Sequence, residues 1–184
     1  MRRPGTIVGV LAVALIAYIS YNSITTEGPG SRGVEAGSEL PAFAAPLALS
    51  NLEGDADMSC DERGSEILNV CELSERGPVV LAFFAEPIAR CVDQIDVLDR
   101  LRARFPEVQF AAVATVGERA DLRERVRERG WGLPVGHDQD GAVSNAYAVA
   151  VCPQITFARR GGEVTRTTFG SQSEEQLIPA IEEL

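Results

Sequence analysis

Lysine is absent: every one of the 17 basic residues in the 184-residue chain is an arginine. That excludes a Schiff-base lysine, a pyridoxal-phosphate anchor and a phosphate-loop lysine, because each needs a primary amine on a flexible stem. Histidine is reduced to one residue, His137, which excludes multi-histidine metal sites. Base is also scarce against acid, 17 to 27, for a net charge of −10. Phosphate backbones are held by clustered basic side chains, so this balance argues against a nucleic-acid partner.

What is present is the composition of an ordinary globular chain, 45% hydrophobic and 24% charged, at a length that suits a single domain. The conspicuous reactive groups are four cysteines, Cys60, Cys71, Cys91 and Cys152.

The first residues carry a membrane signal. Arg2 and Arg3 precede an uncharged run from Thr6 to Ile19, extended by Ser20 and Tyr21. At about 1.5 Å per residue this run covers about 24 Å, enough to anchor if its flanks sit at the interface. A cleaved signal peptide shares the basic start and short apolar core, but no small-x-small site follows the run, which favours an uncleaved anchor. The expected organisation is a cytoplasmic n-region at 1–4, a transmembrane signal anchor at 5–21, a flexible Gly/Ser-rich linker at 22–38 and an exported domain at 39–184. Export changes the meaning of the cysteines, since thiols outside the cytosol usually serve as disulfides or redox catalysts.

Within the domain, strand-like and helix-like runs alternate. Val79 to Ala85 is continuously apolar, the pattern of a strand covered on both faces. Cys91 to Phe105 places Cys91, Ile95, Leu98, Leu101 and Phe105 on one helical stripe, with Asp93, Asp96, Asp99 and Arg100 facing away, and Pro106 stops it. Val108 to Val116 reads as a second buried strand. Glu118 to Arg129 reads as a charged helix closed by Gly130, with Asp121 and Arg125 at i,i+4 spacing. A short strand at Leu133 to Gly136, a polar turn at His137 to Gly141 and a short helix at Ala142 to Ala148 follow. Gln154 to Ala158 and Val164 to Phe169 flank Arg160-Gly161-Gly162 as an antiparallel hairpin. Ser173 and Gln176 have capping-box spacing for a last helix, in which Pro179 predicts a kink or restart. Helices between strands require parallel crossovers and the hairpin adds antiparallel ones, so the reading is an α/β domain with a mixed central sheet and helices on both faces.

From Leu40 to Leu184 the chain resembles the thioredoxin-fold redoxin superfamily, which includes TlpA/ResA-type thiol-disulfide oxidoreductases and the alkyl hydroperoxide reductase/thiol-specific antioxidant peroxiredoxins. The carriers are Leu40-Pro41-Ala42-Phe43, Glu75 to Ala85, Pro134 to Gly141, and Val151-Cys152-Pro153-Gln154-Ile155-Thr156-Phe157. The resemblance implies a thioredoxin-like fold, a redox-active centre at the start of the helix after Ala85, and a cis-proline loop at Pro153 packing beside it. It implies no cofactor and no metal; the cysteine spacings also lack a Cys-x₂₋₄-Cys pair.

Two departures mark this chain. The family's Cys-x-x-Cys reads Ile88-Ala89-Arg90-Cys91, so the first motif cysteine is an isoleucine; nor does Ile88 supply the threonine of the peroxiredoxin Thr-x-x-Cys. Cys152 stands immediately before Pro153, where the family carries a small or β-branched residue. If the helix start and the proline loop face each other, Cys91 and Cys152 form a non-standard redox pair, with Cys91 as nucleophile favoured by the helix dipole and by Arg90. The alternative is an inert structural disulfide or two reduced, packed thiols. Cys60 and Cys71, in an insertion at 58–72, are expected to form a structural disulfide; the alternative has one of them resolve an oxidised Cys91.

Glu86 is either a proton relay near Cys91 or a plain loop carboxylate, the reading favoured here. His137 is expected as a solvated turn residue and Trp131 as a packing residue. Asp138 and Asp140 make only a fragment of a calcium loop. Three functions remain open: a membrane-anchored extracytoplasmic thiol-disulfide oxidoreductase, a peroxiredoxin-like thiol peroxidase attacking peroxide through Cys91, and a non-catalytic redoxin-fold binding module. The first two act on exported protein thiols and disulfides or on peroxide, and take electrons from a membrane or extracytoplasmic thiol donor.

Overall fold

The structure is a computed structural model that describes Val13 and residues 33–184. Apart from Val13, the expected anchor at 5–21 and the linker up to residue 32 lie outside the described residues. Among the described residues no helix is long and apolar enough to cross a membrane.

In chain order the elements are β1 (Ala44–Pro46), β2 (Ile67–Asn69), α1 (Val70–Arg76), β3 (Val79–Ala85), α2 (Ala89–Arg102), β4 (Gln109–Val116), α3 (Arg119–Arg129), β5 (Val135–His137), α4 (Ala142–Ala146), β6 (Gln154–Ala158), β7 (Val164–Phe169) and α5 (Glu174–Glu182). A five-stranded sheet runs β5-β4-β3-β6-β7, parallel from β5 to β3 and antiparallel from β3 to β7. This is the expected mixed sheet.

All seven residues of β3 are buried because the strand is central and both faces are covered. Alternate side chains serve two cores. Val80, Ala82 and Phe84 meet α2, α3 and α5 through residues such as Ile95, Leu98, Leu122 and Leu177. Val79, Leu81 and Phe83 meet the β1–β2 pair, α1 and α4 through Phe43, Leu68, Leu73 and Val143. At about 1.5–3 kcal/mol for each large apolar side chain removed from water, these two layers dominate the favourable side of folding.

The 58–72 insertion contains more than a disulfide loop, for it ends in β2 and the beginning of α1. β1 and β2 have three residues each and form their own antiparallel pair, Ala44 opposite Asn69; strands that short leave no readable alternation. Asn69 caps α1 by accepting from the Glu72 N–H at 3.0 Å, and its amide nitrogen donates to the Cys60 and Glu62 carbonyls.

Helix α2 begins two residues before Cys91 and ends before Phe105, which packs against the core from the following turn. Its acids are not simply solvated. Asp96 accepts from the Trp131 indole N–H and pairs with Arg129, and Asp99 accepts from the Gly132 and Leu133 N–H groups at 2.9 Å. Trp131 packs as expected, edge-on to Phe84.

Gly130 closes α3 in the left-handed conformation and the Ser173–Gln176 capping box opens α5, both as expected. Helix α5 runs through Pro179 without a restart: the ring forfeits one backbone bond, while Leu177, Ala180 and Ile181 hold the helix on the sheet.

Candidate active site

The site lies at the end of the sheet where the inner strand β3 stops and its neighbour β6 begins. β3 stops at Ala85, Glu86 and Pro87 make the turn, and Ile88 in extended conformation caps α2. Cys91 is therefore the third helical residue, in the first turn, where N–H groups point outward and the partial charge is positive. No acidic side chain occupies that turn, and Arg90 in it is exposed. The Cys91 side chain itself turns inward to the stripe formed with Ile95 and Leu98 and has no exposed surface.

Cys152 approaches from the β6 side. Because β6 is antiparallel to β3, its first residue, Gln154, lies opposite Phe83, and the two residues before it reach the end of β3. The Cys152–Pro153 peptide is cis, in agreement with the resemblance. Pro153 accepts from the Gly170 N–H at 2.8 Å, and the buried Gln154 amide donates to the Tyr147 carbonyl at 2.9 Å. So held, Cys152 remains partly exposed.

The Cα atoms of Cys91 and Cys152 are 5.7 Å apart, inside the disulfide range, and their sulfurs are bonded. The backbone N–H of Ala85 donates to the Cys152 sulfur at 3.1 Å. Cys60 and Cys71 form the second disulfide, with Cα atoms 6.0 Å apart. The described cysteines are thus all paired, two by two.

The supporting residues fall differently from expectation. Glu86 is not an open loop carboxylate: it is 6% exposed, and its Oε1 accepts from Arg125 at 3.0 Å. A carboxylate this buried needs a counter-charge, and α3 supplies it. This also explains why Arg125 pairs with Glu86 and Glu128 instead of with Asp121 one turn away. Gly117 makes room for the arrangement, since a Cβ there would lie 2.8 Å from the Glu86 Cβ. Glu86 thus spends its carboxylate on Arg125.

His137 is likewise no solvated turn residue. It ends β5, is 5% exposed, and its Nε2 lies 3.1 Å from the Gly117 carbonyl oxygen. Strand β5 extends one residue beyond the sequence reading because Ala114 pairs with His137. That places the imidazole two strands from β3, on the far side from Cys152. Asp138 is buried too, and its carboxylate caps α4 by accepting from the Val143 and Ser144 N–H groups. Among the described residues no group of three or more His, Cys, Asp or Glu side chains has the makings of a metal site.

Sequence reasoning missed Arg125 as the partner of Glu86, and the Ala85 N–H as a donor to sulfur. A backbone group at a strand end leaves no mark on a sequence. Chemically, the arrangement offers a disulfide between a fully buried and a partly exposed cysteine, with a hydrogen-bond donor on the Cys152 sulfur and a helix start beneath Cys91.

No family model matches the chain. It is 26% identical over 182 residues to a thiol-disulfide oxidoreductase ResA of Geobacillus thermodenitrificans, covering 97% of this chain and 93% of the relative. A secreted Mycobacterium tuberculosis disulfide oxidoreductase homologous to E. coli DsbE superposes with a TM-score of 0.62 at 20% identity, over 77% of this chain and 96% of the other. The peroxidoxin BcpB of Mycobacterium tuberculosis superposes with a TM-score of 0.63 at 15% identity, over 81% and 95%. Together with the mixed five-stranded sheet and the cis-proline loop, these likenesses show a thioredoxin-like fold in a chain similar to thiol-disulfide oxidoreductases of the ResA type.

Proposed function

We propose that the protein is a thiol-disulfide oxidoreductase whose redox pair is Cys91 and Cys152, with Pro153 shaping the loop that presents Cys152. The observation that carries the reading is the 5.7 Å Cα separation of two cysteines that approach from opposite sides of the β3 end. In the oxidised protein a partner's two thiols give two electrons to the bridge and leave as a disulfide; in the reverse direction the dithiol reduces a partner's disulfide. The ResA relative, similar along nearly its whole length, supports this class of reaction.

The basic start and apolar run of residues 2–21 support a membrane tether with the domain outside the cytosol, where the partners are exported protein thiols and disulfides. Exposed Ile88 and Val151 flank the bridge and suit a polypeptide partner. Full burial of Cys91 speaks against the thiol-peroxidase reading, because a peroxidatic sulfur must be reached by peroxide.

A redox titration of the full chain in glutathione buffers, read by non-reducing peptide mass mapping, tests the proposal. The Cys91–Cys152 bridge is expected to open and close reversibly while Cys60–Cys71 stays closed. A Cys91–Cys152 bridge that no glutathione poise opens, or rapid peroxide consumption dependent on Cys91, overturns it.

A further inference from the structure

We infer that Cys152, not Cys91, is the sulfur through which exchange with partners runs, and that Cys91 is the buried sulfur that leaves and returns. The inference rests on Cys91 and Cys152 being the redox pair and assigns the roles within it.

Access is the first argument. Cys91 has no exposed surface, whereas Cys152 is partly exposed and its chain neighbour Val151 is 46% exposed. A thiolate attacks a disulfide sulfur along the S–S axis from the side opposite the leaving sulfur, so the sulfur that is reached is the one that forms the mixed disulfide. Approach to Cys91 is blocked by the α2 stripe and the sheet beneath it.

Charge placement is the second. Attack on Cys152 forms a bond from the partner's sulfur to the Cys152 sulfur and breaks the Cys91–Cys152 bond, so the electron pair leaves on Cys91. That thiolate emerges in the first turn of α2, which holds the positive end of the helix dipole and no acidic side chain. A second partner thiolate then attacks the partner sulfur of the mixed disulfide, releasing the partner's disulfide and a Cys152 thiolate. That thiolate receives the Ala85 N–H, already directed at the Cys152 sulfur at 3.1 Å. Both thiolates are protonated by solvent, and two electrons have passed from two thiols to one disulfide. In the reducing direction the same mixed disulfide on Cys152 forms first, and Cys91 resolves it.

The geometry thus reverses the expectation that the helix cysteine attacks. The isoleucine at the first motif position is consistent with this: with the attacking sulfur moved to the proline loop, residue 88 needs no thiol, and Ile88 is 41% exposed beside the bridge.

The test uses the full chain with Cys60–Cys71 oxidised. Oxidised wild-type protein is treated with reduced glutathione, quenched with acid within the first turnover and mapped by mass; glutathione is expected on Cys152. In parallel, Cys91→Ser and Cys152→Ser proteins are exposed to oxidised glutathione, and the adduct on Cys152 is expected to form at least about 10-fold faster than the adduct on Cys91. Glutathione found first on Cys91 of the wild-type chain, or equal rates in two folded variants, overturns the assignment and leaves the pair standing. A wild-type bridge that glutathione never opens removes the pair itself. Because the wild-type mapping needs no substitution, a variant that fails to fold does not spare the inference.

Discussion

The two disulfides are built into opposite faces of one sheet, and their surroundings differ in kind. Cys60 and Cys71, 11 residues apart in sequence, lie beside the core formed with β1, β2, α1 and α4. Their loop is independently pinned, because Asn69 holds the Cys60 carbonyl and caps the helix that carries Cys71. Cys91 and Cys152 are 61 residues apart and belong to the other core. They meet where two strands end, with Cys91 fully buried and Cys152 partly exposed. A local bridge between pinned elements has the character of a staple. A distant bridge at the ends of two inner strands, with a helix start under one sulfur and a donor on the other, suits the redox role proposed for it.

Four experiments strain this comparison. Breaking the proposed redox pair should have the largest effect: Cys152→Ser is expected to lower disulfide-exchange turnover at least about 100-fold, while Cys60→Ser with Cys71→Ser leaves it within about 3-fold. Equal losses in both would erase the distinction between staple and site. The same Cys60/Cys71 double substitution is expected to cost up to about 3 kcal/mol in denaturant unfolding, the loop-closure value for a short loop.

Third in size is Glu86→Gln. Losing one partner of a mostly buried ion pair is expected to cost about 1–3 kcal/mol, below the fully buried range because Arg125 is about a third exposed. Exchange activity is expected to survive; a collapse of turnover with stability intact would restore Glu86 as a proton relay.

The smallest effect concerns Tyr147, fully buried on the staple face with its hydroxyl donating to the Pro41 carbonyl at 2.8 Å. Burial pushes its phenol well above the ordinary value of 10.0. The folded chain thus holds the phenolic proton more tightly than the unfolded chain does. This contribution is intact below about pH 10 and is lost as pH rises from there toward the folded value. Tyr147→Phe should cost about 1 kcal/mol near neutrality and flatten the alkaline decline in unfolding free energy. An unchanged alkaline slope would remove Tyr147 as its source.

Much of the fold was legible because it is written in long periodic segments. The apolar run of β3, the stripe of α2 and the glycines of the β6–β7 hairpin each needed only local pattern. The errors fell where a residue's neighbours come from distant segments. His137 carries a polar local context, Asp138-Gln139-Asp140, but pairing with Ala114 draws it into the sheet. Glu86 reads as a turn carboxylate until Arg125, 39 residues later, is placed beside it. β1 and β2 were invisible because three residues do not make a period.

The sequence alone determined the chemistry on offer: four cysteines without lysine, a single histidine, an isoleucine at the first motif position and a cysteine before Pro153. It also determined the order of strands and helices from β3 onward, since hydrophobic period is a local property. Only the tertiary structure decided which cysteines meet and which cysteine of the distant bridge is partly exposed. Pairing across 61 residues depends on strand order, and accessibility depends on what packs over each atom. Neither quantity belongs to any one stretch of chain.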